Sequence, residues 1–554
     1  MTEYFKLKKA NCKNCHKCIR HCPVKAIGFS EGQAQIVQDD CILCGECFVI
    51  CPQNAKSIRC DLKRAKELLA TGEVWVSLAP SALANYPGAS IHSIEETLKK
   101  LGFAGVEETA LGATIVKTRY DEMVEQGEQD VIISSCCHSV NTLIQKHFPA
   151  ALPYLAKVVS PMMAHCADLK ARHPGAKTVF IGPCVSKKAE AEQYPGPVDC
   201  VLTFEELNRW LEDEGLSIPA DPEPVSGTAR FFPITGGILR SMECRREDYH
   251  YLMVDGTRQC IQALEEVIQG NLTHCFIEMS ACRGGCVGGP AMDARTIMRH
   301  TARISEVAGP EDFAVHIPPA KQLFKEMPPL PSFHPRPGGK AIEEVLRQMG
   351  KTLPEHELNC GTCGYDTCRD KAVAILCGKA EIEMCLPYLM AKAQSFSDSI
   401  INNTPNGIIV VNELTEIQQI NPAACHLLHV KNPKDVLGRQ LVCILDPSPF
   451  LDVQYHRKDL LEKQLYLAEY DRYIAITIVR DSASESLIAI LRDITEEKKA
   501  RNMHEELSRK AIEITDQVIQ KQMRTVQEIA SLLGETTAET KVALTKLKET
   551  LRNE

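Results

Sequence analysis

No apolar run in this 554-residue chain approaches bilayer length; the longest, such as "GIIVV" at 407–411, are far too short to span. The first residues, "MTEYFKLKKANCKNC", lack the apolar core of a secretory signal, so the expectation is a cytoplasmic protein. Positive charge is short as well: 63 Lys and Arg against 72 Asp and Glu give a net charge of −9. That balance argues against nucleic acid or an anionic membrane as a partner. Kinase and phosphatase motifs are missing too. What is abundant is cysteine, with 26 residues, most of them clustered. In a long chain without a secretory signal, clustered cysteines point to metal binding or catalysis rather than to a disulfide framework. The length calls for three or four domains, and the 44% hydrophobic, 24% charged composition is that of a globular protein.

The N-terminal segment, 1–59, is an internal repeat. "CKNCHKCIRHCP" carries Cys12, Cys15, Cys18 and Cys22, and "CILCGECFVICP" carries Cys41, Cys44, Cys47 and Cys51. Each unit reads C-x2-C-x2-C-x3-C-P, a spacing in which three cysteines wrap one iron–sulfur cube and the fourth reaches its neighbour. Cys12, Cys15, Cys18 and Cys51 are therefore assigned to one [4Fe–4S] cluster, and Cys41, Cys44, Cys47 and Cys22 to the other. Zinc needs four thiolates and does not call for an eight-cysteine repeat. The segment resembles bacterial two-cluster ferredoxins, which implies electron relay.

From 60 to 340 the pattern becomes α/β. Short β-branched runs ("VWVSLAP", "DVIISS", "KTVFIGP", "HCFIEMS") alternate with helical stretches such as "SIEETLKKLGF". From 341 to 394 a third cysteine group follows, Cys360-x2-Cys363-x4-Cys368-x16-Cys385, with a helical "KAVAIL" inside it. It resembles small one-cluster domains attached to redox proteins, with Cys377 left over as a buried thiol. From 395 to 497 the order of turn, apolar strand, second strand, Asn421-Pro422 helix start and final strand into "DIT" resembles a PAS domain, a sensory and dimerising module. In the tail, 498–554, Ile519, Met523, Val526, Ala530 and Leu533 fall at alternating spacings of 4 and 3. That is either a short coiled-coil seam or a helix packed on its own domain. Gly534 reads as a C-cap there, and Thr536 with Glu539 as a capping box opening a last helix. The expected fold class is thus multidomain α/β: a ferredoxin-like domain, a two-lobed α/β domain, a small helical cluster domain, an α+β PAS domain and C-terminal helices.

Three cysteine motifs stand at strand ends: Cys136-Cys137, Cys184 in "IGPCVSKKAEAE", and Cys282 with Cys286 in "MSACRGGCVGGP". In this order, behind a two-cluster ferredoxin, they resemble the three signature motifs of the [FeFe]-hydrogenase catalytic domain. The resemblance implies that Cys137, Cys184, Cys282 and Cys286 ligate a [4Fe–4S] cluster. It also implies that Cys286 bridges that cluster to a two-iron unit carrying CO, cyanide and a dithiolate. Soft thiolates suit low-valent iron. The resemblance further makes Lys187 a partner for bound cyanide and Cys136 a proton shuttle, with Glu190 matching the family. Pro80, Ser81 and Phe232 match pocket-lining positions, although "FFPITGG" by itself is equally a plain turn. The sequence departs from the family pattern in several places. Two positions that are commonly methionine are Gly182 and Ser280, His138-Ser139-Val140 replaces Pro-Gly-Trp, and a pair of acids becomes Thr118 and Asp121. The expected function is hydrogen sensing with slow turnover, passing electrons to a redox partner protein and a signal to a separate kinase or phosphatase, as a homodimer through the PAS domain and tail. The alternatives are a bulk hydrogenase and an iron–sulfur scaffold without the diiron unit.

Overall fold

Alternating β-branched runs and amphipathic helices build two parallel sheets in the middle of the chain. The computed structural model describes residues 3–30, 32–127, 129–330, 337–456, 460–481 and 485–550. Residues 331–336 of the 60–340 segment and 551–554 of the tail lie outside them. The chain divides into two units, Met1–Leu389 and Met390–Glu554, the division falling inside the helix Leu386–Asn403.

The first sheet has the strand order Gly105–Glu108, Val74–Leu78, Lys177–Gly182, Cys200–Thr203, all parallel. The second runs His250–Asp255, Cys275–Ser280, Val131–Ile133, also parallel. All four runs singled out in the sequence are strands. Their side chains are buried on both faces, as parallel sheets covered by helices require. Each sheet has its own apolar core, and the helix Pro161–Arg172 contributes side chains beside both.

The ferredoxin segment pairs Phe5–Leu7 with Lys56–Ile58 and Ile27–Ser30 with Gln33–Ile36. It is joined to the third cysteine group more closely than their separation in sequence suggests. Ile19, Cys22, Ala26, Ile27 and Phe29 share one core with Cys363, Tyr365, Ala374 and Met384. Phe29 N donates to Lys379 O at 2.8 Å, and Lys25 Nζ to Gly364 O at 2.8 Å. Two segments more than 300 residues apart in sequence thus share one core.

In the second unit a five-stranded antiparallel sheet has the order Ile417–Ile420, Gly407–Val411, Ser486–Asp493, Arg472–Asp481, Leu460–Leu467. Asn421 pins its first turn: the side-chain oxygen accepts from Ile408 N and Ala424 N, and the amide donates to Ile401 O and Asn406 O. The tail corrects the sequence reading. Thr495–Thr550 is one helix, with neither a C-cap at Gly534 nor a capping box at Thr536 and Glu539. Gly534 keeps helical backbone, and Thr536 Oγ1 donates back to Leu532 O at 2.7 Å. One interior glycine costs about 1 kcal/mol, less than surrendering the helical bonds on either side.

Candidate metal centre

Each cysteine motif sits where a strand gives way to a turn. Val131–Ile133 leads to Cys136 and Cys137, the latter capping the helix His138–His147. Lys177–Gly182 leads to Cys184, just before the helix Ser186–Gln193. Cys275–Ser280 leads to Cys282 and to the tight turn Gly285–Gly288 that carries Cys286. Gly285 has φ +78°, and a Cβ there would lie 2.6 Å from Pro233 O. Only glycine permits that turn.

Cys136, Cys137, Cys184 and Cys286 line one cavity of about 100 Å³, together with Pro80, Ser81, Lys187, Phe232 and Ser280. Cys282 stands just outside this lining, within electrostatic range of Cys184, Cys137, Cys286 and, in the ferredoxin segment, Cys44. Burial pushes the Cys184 thiol up to about 11, and burial with neighbouring thiols raises Cys282 further. Four thiols this close do not ionise side by side without cationic charge between them. An iron–sulfur cluster supplies that charge, so the donor set fits one. Ser81 Oγ is buried in the cavity wall and has no hydrogen-bond partner among the described residues, which suits an occupant with polar ligands.

Lys187 Nζ donates to Cys136 O at 3.0 Å and pairs with Glu190 Oε2 at 2.5 Å. The Glu190 carboxylate, 0% exposed, also accepts from Lys325 Nζ at 2.6 Å and Ser160 Oγ at 3.1 Å. Burial alone would raise Glu190, but Lys187 and Lys325 outweigh it and keep the carboxyl ionised. Lys325 lies far along the chain from the motifs, and no spacing rule pointed to it.

Two expected site positions are placed differently. Asp121 does not line the cavity; its carboxylate accepts from Glu243 N at 3.1 Å and Cys244 N at 3.0 Å. The residue of helix Ala110–Gln126 that reaches Cys136 is Tyr120, whose hydroxyl lies 3.3 Å from Cys136 Sγ. The phase was available in the sequence: Ala113, Val116 and Tyr120 share one buried face, and Ala113 lines the cavity. Gly182 likewise does not line the cavity. A Cβ there would fall 2.7 Å from the ring of Phe180, which does.

In the ferredoxin segment Cys47 lies within electrostatic range of Cys44, Cys41 and Cys22, and Cys18 of Cys12 and Cys15. Lys56 approaches Cys18, Cys47 and Cys51. Cys22 thus sits with the second run. Cys360, Cys363, Cys368 and Cys385 converge on one small cavity roofed by Tyr365 and Lys371. Cys377 lies outside it and is half-buried rather than buried.

Replacing Cys136 with Ala should leave cluster binding intact, because Lys187 holds the backbone carbonyl and not the thiol. Iron content measured beside the wild type checks this; loss of iron would make Cys136 a ligand.

The geometry agrees with comparisons to known proteins. Residues 72–290 match the iron only hydrogenase large subunit, C-terminal domain. Residues 11–55 match the 4Fe-4S dicluster domain, 354–387 a putative Fe-S cluster family, and 395–463 the PAS domain. The chain therefore carries an iron-only hydrogenase domain between iron–sulfur modules, followed by a PAS domain.

Among individual relatives, the cytosolic Fe-S cluster assembly factor NAR1 of Yarrowia lipolytica is 25% identical over 34% of this chain and 46% of its own length. The cytosolic iron-sulfur assembly component 3 of Pongo abelii is 22% identical, over 49% of this chain and 76% of that protein. The NADP-reducing hydrogenase subunit HndD of Solidesulfovibrio fructosivorans is 23% identical, over 50% and 62%. The chain thus spans less than two thirds of the first and third of these. A solved [FeFe]-hydrogenase, HydA1 from Chlamydomonas reinhardtii, aligns at 18% identity and TM-score 0.38, covering 48% of this chain and 93% of that one. No helix among the described residues is long and apolar enough to cross a membrane.

Proposed function

We propose that this chain is a hydrogen-sensing [FeFe]-hydrogenase, which binds H2 and oxidises it slowly (H2 ⇌ 2 H⁺ + 2 e⁻). The observation that carries the reading is one cavity gathering Cys137, Cys184 and Cys286 with the free thiol of Cys136, the Lys187 ammonium and the unpartnered Ser81 hydroxyl. Cys137, Cys184, Cys282 and Cys286 would hold a [4Fe–4S] cluster with a diiron dithiolate unit on Cys286, and that unit would supply the hydrogen-splitting chemistry. Lys187 and Ser81 offer donors to anionic ligands, Pro80 and Phe232 exclude water, and Cys136 holds a proton at Sγ. Ser280 adds a hydroxyl to the same wall.

Proximity supports an electron route: Cys282 lies near Cys44, and Tyr365 lies near both Cys22 and Cys363. The redox state of the third cluster would then bias the PAS module and tail in the cytoplasm, where a kinase or phosphatase reads it. Exposed apolar residues from Met503 to Leu547 support pairing with a second copy; sedimentation as a monomer would overturn that part.

After maturation with the diiron cofactor, infrared bands of CO and cyanide should appear and shift under H2, with turnover far below that of a bulk hydrogenase. Absent bands would favour an iron–sulfur scaffold, a reading that the 25% identity to an assembly factor keeps in view. Fast turnover would favour a bulk enzyme.

A further inference from the structure

Hydrogen chemistry in this cavity needs a path for protons, and the contact of the Cys136 thiol with Tyr120 does not supply one. Beyond Cys136, Tyr120 OH meets Ser135 Oγ at 3.1 Å, and Ser135 Oγ donates to Val158 O at 2.8 Å. That branch ends on a backbone carbonyl in an apolar core, and burial pushes the Tyr120 phenol well up.

A second polar chain does reach the surface. Thr109 lines the cavity, and its Oγ1 lies 2.7 Å from Ser77 Oγ. Ser77 Oγ lies 2.8 Å from His165 Nδ1, and His165 Nε2 lies 3.3 Å from Glu107 Oε2. Glu107 is held in turn by Arg172 at 2.8 and 2.6 Å, and its side chain is 22% exposed. Ser77 and His165 are both 0% exposed.

The fold assembles this chain from three elements. Ser77 and Glu107 are register partners on adjacent parallel strands, and Thr109 follows at the end of the second. His165 comes from the helix Pro161–Arg172. That helix approaches closely because residue 112 is glycine; a Cβ there would lie 2.6 Å from His165 Cβ and would also strike Pro161 O. Polar groups this deep are costly unless they are paired, so a continuous run of four calls for a reason.

We propose that Thr109, Ser77, His165 and Glu107 form a proton wire between the cavity and solvent. Burial would push the Glu107 carboxyl up, but Arg172 and His165 outweigh it and hold it at about 2. An ionised Glu107 accepts from His165 Nε2–H. Nδ1 then accepts from Ser77 Oγ–H, and Ser77 accepts from Thr109 Oγ1–H. A proton entering at Thr109 Oγ1 moves the Thr109 proton to Ser77 and the Ser77 proton to Nδ1. The imidazolium so formed releases its Nε2 proton at Glu107 to water. One proton enters and one leaves, no electrons move, and rotation of the two hydroxyls together with a flip of the His165 ring, which returns a bare nitrogen to Ser77 and an N–H to Glu107, resets the chain. The proposal rests on the reading above for the source of the proton, but conduction belongs to the polypeptide.

The test uses the full chain with its iron–sulfur clusters and no diiron unit. On transfer to D2O, conversion of the Cys136 S–H infrared band to S–D, assigned by difference against Cys136→Ala, reports proton entry to the cavity. Thr109→Val and His165→Phe should each slow it roughly 10²-fold, the scale of a positioned proton carrier. Glu107→Gln, at the solvent end, should slow it in the same direction and decides the matter if His165→Phe fails to fold. Unchanged rates in Thr109→Val and Glu107→Gln overturn the wire. Failure of the hydrogenase reading shows separately, as missing CO and cyanide bands in the matured protein.

Discussion

Cys286→Ala should abolish the CO and cyanide bands after maturation and reduce hydrogen oxidation to background, while the other iron–sulfur clusters remain visible by electron paramagnetic resonance. Cys286 is the thiol that both lines the cavity and lies within range of Cys184, Cys137 and Cys136. Its turn does not depend on the sulfur. Val287, 0% exposed, is anchored by donating its N–H to Pro233 O at 3.1 Å, and Gly285 keeps its left-handed backbone. The loss should therefore be of ligation and not of fold. Ala is preferred to Ser because a hydroxyl can stand in as a weak ligand. The Cys360 group lines a separate cavity and the ferredoxin cysteines do not line this one, so both sets should bind their clusters as before. Wild-type bands in the variant would show that the diiron unit is held elsewhere.

Lys188→Met should cost about 3–5 kcal/mol, as expected when one partner of a buried ion pair is removed. The Lys188 ammonium is buried at the junction of the ferredoxin segment and the hydrogenase domain. It contacts Asp61 Oδ2 at 2.7 Å, Glu206 Oε2 at 2.8 Å and Val201 O at 3.0 Å. Asp61 continues the network to Arg59, which pairs with Glu192 at 2.7 Å, and Tyr4 OH donates to Glu192 at 2.6 Å. Without Lys188, the Glu206 carboxylate stays buried with only its capping bonds to Thr203 and the amide of Asp61. Chemical denaturation measures the loss. The double variant Lys188→Met with Glu206→Gln should regain part of it, since no charge is then stranded. A loss below about 1 kcal/mol, the range of exposed pairs, would mean that water reaches the site and the network is dispensable.

How far the sequence could be read depended on how local each signal was. The ferredoxin repeat and the three strand-end motifs were legible because cluster ligation needs thiols at short, regular spacings. The four β-branched runs were legible because parallel strands are buried on both faces. Asp121 was misplaced because a helix turns 100° per residue, so a slip of one position moves a side chain to another face. Tyr120 takes the place beside Cys136. Gly182 was expected over the site, in place of the family's methionine, but the neighbouring Phe180 ring lines the cavity and Gly182 does not. Gly534 was read as a helix end, yet local breakers yield where flanking residues sustain the helical bonds.

The sequence by itself determined the chemistry available to this protein: sixteen cysteines in three cluster patterns, a separate thiol at Cys136, a lysine three residues after Cys184, and a PAS-like order near the C-terminus. The tertiary structure alone decided which of these groups meet. It set the Cys360 group against the ferredoxin, brought Lys325 to Glu190, and aligned Thr109, Ser77, His165 and Glu107 between cavity and surface. Those meetings depend on strand register and helix approach across tens to hundreds of residues. Packing fixes such distances, and spacing along the chain does not record them.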